Sequence, residues 1–220
     1  NSLGQLGNGA TGDLSSPVQI PGTNWTSLST GSSHTMATKD DNTLWTWGYN
    51  GAGQLGHNNK TDYSSPKQVP GSWKCDTEGP QMCGAQHSLA VRDNGQLFAW
   101  GDNGSGMLGQ NSNSQYSSPR QVGAGSQWAF CAADIEKSLA ITSSGALYGW
   151  GKNQHGQAAA DNSVTYRSMP VQIPGTWAHA CFGDDQGMGI RTNGTLFAWG
   201  NNNYGQCAQN SATPGYSSPI

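Results

Sequence analysis

"LWTWGYNGAGQLG", residues 44–56, sets two tryptophans, a Trp-Gly pair and four glycines within thirteen positions. Whether this is a site or a scaffold depends on how often it occurs. Versions begin at Leu97 ("LFAWGDNGSGMLG"), Leu147 ("LYGWGKNQHGQAA") and Leu196 ("LFAWGNNNYGQCA"), and the chain opens on the motif's second half, "NSLGQLG". A second landmark keeps step: "SSPVQIPG" at Ser15, "SSPKQVPG" at Ser64, "SSPRQVGA" at Ser117, "SMPVQIPG" at Ser168 and "SSPI" at Ser217. The Trp-Gly tryptophans Trp47, Trp100, Trp150 and Trp199 lie 53, 50 and 49 residues apart. A period near fifty marks a repeat architecture. A catalytic motif is rarely needed four times, so the stretch reads as scaffold. Its tryptophans, with Leu44, Leu97, Leu147 and Leu196, read as the core of each repeat. The units run approximately over 1–50, 51–103, 104–153 and 154–202, with a partial one at 203–220, in a single array.

Composition narrows the classes. Charged residues make up 10% of the 220, against roughly 25% in an average soluble domain. Nine Trp, seven Tyr and a net charge of only -3 argue against disorder. A pI near 5.9 with no basic stripe argues against nucleic-acid binding through phosphate neutralisation. No apolar run approaches the length of a membrane span, so membrane insertion is not expected. The chain starts inside one motif, without a signal peptide or an initiator Met, and stops inside another, so it reads as a piece of something longer.

Five cysteines leave at least one unpaired in a monomer, and no CxxC occurs. Cys75 and Cys83 flank "DTEGPQM", an insertion confined to the second repeat. They either clip that loop with a disulfide or stand as two buried thiols.

Each repeat reads as strands. "HSLAVRDNGQLFAWG" and its counterparts carry an apolar run, a turn and a second run. Asn94-Gly95, Ser144-Gly145 and Asn193-Gly194 occupy the turns and predict type I′ hairpins. A further strand begins at Trp25, Trp128 or Trp177, and the "PVQIPG" segment supplies a fourth, with prolines at its ends. In "LWTW" both alternating faces are apolar, as in a strand buried on both sides. Four short antiparallel strands per repeat make a propeller blade, so the expected fold is an all-β propeller of four-stranded antiparallel blades.

The set "LxxWGxNxxGQLG", "SSPxQIPG" and "GxxHSLA" resembles the repeat of the regulator-of-chromosome-condensation family, over essentially the whole chain. The resemblance implies a seven-bladed β-propeller, of which four full repeats and a partial fifth form an arc. It also points to a bacterial or phage-type member.

Candidate sites are weighed against packing. Thirteen residues before each Trp-Gly tryptophan stand His34, His87, Lys137 and Gln186. No metal array or catalytic ring tolerates such a mixture, so these read as polar residues ending an inner strand. Asp40-Asp41 falls in a hairpin turn, and neighbouring carboxylates on a strand point to opposite faces. "GAGQLG" and "GSGMLG" lack the ending and the helix of a phosphate loop. No nucleophile–base pair stands out, so no enzyme activity, metal or cofactor is expected. Binding candidates are residues that vary within the constant frame: Tyr49, Asp102 and Lys152 after Trp-Gly, Tyr63 and Tyr116 before "SSP", and His155 and Tyr204 before "GQ". For the tyrosines before "SSP", packing over the blade edge is the competing reading.

The expected function is a non-enzymatic interaction or structural module, on an extracellular or virion surface, as in phage decoration, tail or adhesion proteins. Its expected partners are proteins, or further copies or repeats that complete the ring. Guanine-nucleotide exchange on a small GTPase and carbohydrate binding are the alternatives.

Overall fold

The computed structural model describes residues 1–75, 82–125, 127–158, 164–208 and 215–220. Among them there is no helix, and every strand pairs antiparallel within one of four sheets. The first sheet holds β1 (Trp25–Thr30), β2 (His34–Lys39), β3 (Leu44–Gly48) and β4 (Tyr63–Val69), in that order. The second holds β5 (His87–Val91), β6 (Leu97–Gly101) and β7 (Tyr116–Gln121). The third runs β8 (Trp128–Asp134), β9 (Lys137–Thr142), β10 (Leu147–Lys152) and β11 (Tyr166–Ile173). The fourth runs β12 (Trp177–Phe182), β13 (Gln186–Arg191), β14 (Leu196–Asn201) and β15 (Gly215–Tyr216). The molecule is a partial β-propeller, and the sheets are its blades. In the second blade the Trp-led strand is reduced to two bridges, Trp73↔Arg92 and Cys83↔Ser88, around the insertion. Residues 76–81 of that insertion lie outside the described residues.

The opening motif is now legible residue by residue. Each Trp-Gly tryptophan donates its indole N–H to a backbone carbonyl of the preceding "GQLG"-type loop: Trp47 to Gln5 (3.0 Å), Trp100 to Gln54 (2.8 Å), Trp150 to Met107 (2.7 Å) and Trp199 to Gln157 (2.9 Å). Each loop therefore closes over the next blade. The asparagine two residues after Trp-Gly braces its own loop: Asn50 Oδ1 accepts from the Leu55 amide and Asn103 Oδ1 from the Leu108 amide, both at 2.9 Å. The glycine after each tryptophan has φ between 95° and 102°. A Cβ at Gly101 would stand 2.5 Å from the Gln86 carbonyl oxygen, so no side chain fits there. Leu44, Leu97 and Leu147 are fully buried, as are Trp100, Trp150 and Trp199, and Trp47 is nearly so.

Three expectations are corrected, and the open reading of Cys75 and Cys83 is decided. The hairpins are not type I′. Gly95, Gly145 and Gly194 have positive φ, but Asn94, Ser144 and Asn193 do not. The Gly95 amide donates to the Arg92 carbonyl, which makes a type I turn closed by a left-handed residue, and Asn42 (φ 62) fills that place in the first blade. Asn94 Oδ1 and Asn193 Oδ1 instead accept from the amide two residues on, a role that needs no positive φ.

The fourth strand starts at the aromatic residue, so Pro66, Pro119 and Pro170 lie inside strands. Each sits where the register shifts, as between Thr46↔Lys67 and Gly48↔Tyr63, and the bulge absorbs the missing donor. The first copy, residues 15–22, forms no strand.

Leu196 is 62% exposed rather than buried. Leu44 pairs with Val69 and Leu147 with Ile173. In the last blade Ala198 and Ile220 exchange backbone hydrogen bonds, which sets the partner position of Leu196 beyond Ile220.

Cys75 and Cys83 are not joined. The Cys75 thiol donates to Asn42 Oδ1 at 3.0 Å and the Cys83 thiol to the Ser29 carbonyl at 3.4 Å. Burial pushes the Cys83 thiol up to about 12, so it stays protonated.

Candidate functional site: blade joints and rims

The polar column opens the second strands and joins blades. It does not end an inner strand: the Trp-led strands are innermost, since β8 touches both β5 and β12. The Ser88 hydroxyl donates to the Gln54 carbonyl at 2.8 Å, so its oxygen accepts from His34 Nε2 at 3.0 Å. This assigns the His34 proton to Nε2, while Nδ1 is buried without a partner among the described residues. His87, Ser138 and the Met107 carbonyl repeat the arrangement at 2.9 and 2.8 Å. Burial, reinforced by the charge of His87, pushes His34 down to about 3. Burial likewise holds His87 at about 4, with Asp102 the largest opposing influence. Both imidazoles are neutral at neutral pH.

The third joint is built differently. The serine position is Gly187 in the fourth blade, where a Cβ would stand 2.4 Å from the Trp199 ring. No hydroxyl is available there. Lys137 replaces the histidine, donates to the Asp184 carbonyl, and pairs with Asp134 at 2.9 Å.

The sequence-selected binding candidates separate into three sets. Tyr49, Asp102 and Lys152 occupy equivalent places on one rim, where their amides bond the carbonyls of Ser33, Gln86 and Glu136. All three are partly buried. Tyr49 folds over Gly51. Asp102 accepts from Gln115 at 2.7 Å, and Lys152 lies 3.7 Å from Glu136 and 3.9 Å from Asp185 of the next blade. Ser105 donates to Glu136 across the preceding junction at 2.8 Å. Such exposed pairs each contribute about 0–1 kcal/mol.

Tyr63 and Tyr116 lie on outer strands under cations: Lys67 Nζ is 4.1 Å above the Tyr63 ring, and the Arg120 guanidinium is 4.8 Å above that of Tyr116. His155 and Tyr204 sit at equivalent loop tips, and Tyr204 is 93% exposed. The seven residues do not converge on one cleft. Among the described residues no three His, Cys, Asp or Glu side chains gather to hold a metal ion. Sequence reasoning passed over Arg92 and Lys67, because a cation above an aromatic ring leaves no local pattern.

Two family models, both described as the regulator of chromosome condensation (RCC1) repeat, match the chain. One covers residues 25–54, 83–106, 138–157 and 177–206, and the other 1–38 and 41–91. Human WBSCR16 superposes with a TM-score of 0.76 at 23% identity, over 89% of this chain and 51% of its own. Prp20p from Saccharomyces cerevisiae superposes at 0.75 and 16% identity, over 93% of this chain and 52% of its own. The structure of Kap60 bound to yeast RCC1 (Prp20) contributes a match at 0.73 and 16% identity, over 91% of this chain and 50% of that one. The chain thus spans about half the length of the solved structures it matches, and at these identities the likeness speaks for the fold alone. Blade architecture, loop closure over the next tryptophan and the family matches agree: the chain belongs to the RCC1-repeat family of β-propellers.

Proposed function

We propose that the chain is a non-enzymatic protein-interaction module that binds a protein partner through its rims. One observation carries this reading. The polar residues that recur are used up in bracing loops and joining blades, and Tyr49, Asp102, Lys152, His155 and Tyr204, which differ from repeat to repeat, lie on a rim or at loop tips. Prp20p, which shares the fold, has been studied for its binding to Gsp1p and histones, and has been solved with Kap60 bound. The test is affinity capture from the native source, repeated with Asp102→Ala and Tyr204→Ala. One partner retained by the wild type and lost from the rim variants, with unchanged melting, supports the proposal. A partner held equally by both variants overturns it. Accelerated release of labelled GDP from a small GTPase would replace it with an exchange activity, and specific retention on a glycan array would replace it with carbohydrate binding.

The proposal extends to an extracellular or virion-surface setting, supported by the low charge and the Asn/Gly/Ser-rich composition. Recovery only in a cytosolic fraction would overturn that part. Leu28 on the first blade is 68% exposed and Leu196 on the last is 62% exposed. Further repeats or a second copy would cover such residues. A strictly monomeric sedimentation profile of the native full-length protein, with both leucines still reactive to surface labelling, would refute that extension.

A further inference from the structure

On the outer side of the junction between the first and second blades lies a groove of about 440 Å³, with Lys67, Arg92, His57, Asn58 and Pro119 in its wall. No carboxylate lines it, although acidic residues outnumber basic ones in the chain, 13 to 10. The Arg92 guanidinium lies 4.5 Å over the Trp73 ring and 4.8 Å over that of Phe98. It forms no ion pair or side-chain hydrogen bond with the described residues, and its Nε is buried without a partner. Lys67 Nζ is held over the Tyr63 ring and donates to its hydroxyl at 2.7 Å. Two oriented cations thus share one concave wall, and neither meets a counter-charge. Arg92 is partly buried, and withdrawing a cation from water without a partner costs free energy, which an anion entering the groove would return. A stacked guanidinium is also pre-oriented to offer its fork of N–H donors to a planar or tetrahedral oxyanion.

The next junction is an internal control. It forms the equivalent groove, about 370 Å³, in which Gly109, Gln110, Asn111 and Pro170 replace Gly56, His57, Asn58 and Pro119. Its lining is uncharged and includes Trp128, Tyr148 and Met169. Thr142 stands in the place of Arg92, and Arg120, the counterpart of Lys67, is not part of that wall. The stacked cation itself recurs in the first and last blades, where Lys39 lies 4.7 Å over Trp25 and Arg191 5.2 Å over Trp177; what separates the first groove from the second is that Lys67 and Arg92 both line it.

We propose that the first groove binds a single small oxyanion through Lys67 and Arg92, the chemistry shared by a carboxylate side chain, a sulfate ester and a phosphate ester. Two cations in a chain of net charge -3 suit one such group rather than a polyanion.

The experiment is a titration of the isotope-labelled full chain, followed by amide and indole N–H resonances. Acetate, sulfate and inorganic phosphate are added separately at constant ionic strength, which holds screening fixed. The expected result is saturable movement of the Trp73 indole and of amides near Asn58 and Arg92, with Kd on the order of millimolar. Lys67→Gln, at an exposed strand position, should weaken binding by roughly fivefold or more while the melting temperature holds. Arg92→Lys, which keeps the charge and loses the fork, should weaken it less than Arg92→Gln. Preference for acetate identifies a carboxylate as the natural group, and preference for sulfate or phosphate identifies an ester. Absence of saturable shifts with all three ions, or equal affinity in Lys67→Gln and wild type, overturns the proposal.

Discussion

Acidification should loosen the joints between blades, with a slope set by two histidines. His34 and His87 are 1% and 0% exposed, and each links its blade to a serine of the next. Their ordinary value of 6.5 falls to about 3 and about 4 in the fold. Between those values and 6.5 the unfolded chain binds the extra protons. The stabilisation is therefore fully present above pH 6.5 and is lost as pH falls toward the folded values. Two pH units below 6.5, each histidine costs about 3 kcal/mol and the pair about 5 kcal/mol. That equals much of the roughly 5–15 kcal/mol that holds an ordinary domain together. His57, only partly buried, is pushed down to about 4 by burial and then by Lys67, and adds a smaller increment of the same sign. Asp41 lies below the usual carboxylate range, held there mainly by the hydrogen bond from the Thr43 hydroxyl.

The assay is urea unfolding followed by Trp fluorescence, at about pH 7.5 and about pH 4.5. Glutamine occupies the same column at Gln186, so His34→Gln and His87→Gln place a residue that the blade already accommodates. The double variant should lose roughly 5 kcal/mol less than wild type between the two pH values, even if it starts less stable. An identical pH loss in double variant and wild type would refute the assignment of the slope to these joints.

Trp100→Ala removes a fully buried indole that bonds the Gln54 carbonyl, and should cost roughly 3–5 kcal/mol in urea unfolding; a change within about 0.5 kcal/mol would mean the tryptophan is exposed. Leu97→Ala should cost roughly 2–5 kcal/mol and Leu196→Ala less than about 0.5 kcal/mol, although both leucines open the same motif; equal costs would mean that the last blade is covered as the others are. Gly71 has φ +123 and a Cβ there would stand 2.2 Å from an Arg92 guanidinium nitrogen, whereas Gly123 has φ +66 and nothing within 4 Å. Thermal melts should show Gly71→Ala costing about 2 kcal/mol or more, since a side chain tolerates φ +123 far less than +66, and Gly123→Ala about 1 kcal/mol; the reverse order would contradict these backbone conformations.

The blade was legible because its signals are local and recur. Period-two alternation in "LWTW", the Trp-Gly pair and the Trp-led strand each identify an element within a few residues, and the period near fifty stacks those elements into blades. Turn type was misread at Asn94-Gly95, because the pair suits more than one hairpin and only the φ values separate them. The fourth strand was begun too late, since a bulge that absorbs Pro66 is a property of two strands together. The disulfide reading of Cys75 and Cys83 had only sequence proximity behind it, and each thiol instead bonds a group more than thirty residues away. Among the binding candidates, position in the repeat said which residues vary. It did not say that Lys152 is bridged to Glu136 and Asp185 while Tyr204 is bare.

By itself, the sequence determined that this chain is a row of antiparallel blades and that the Trp-Gly tryptophans form their cores. Only the tertiary structure decided which repeated residue is tied to which neighbour, as for Lys152 beside Asp185 of the next blade, and which cations are left without a counter-charge among the described residues, as for Arg92. The physical reason is distance along the chain. Strand and turn preferences act over a few residues, whereas burial and charge pairing depend on what stands in the adjacent blade, some fifty residues away.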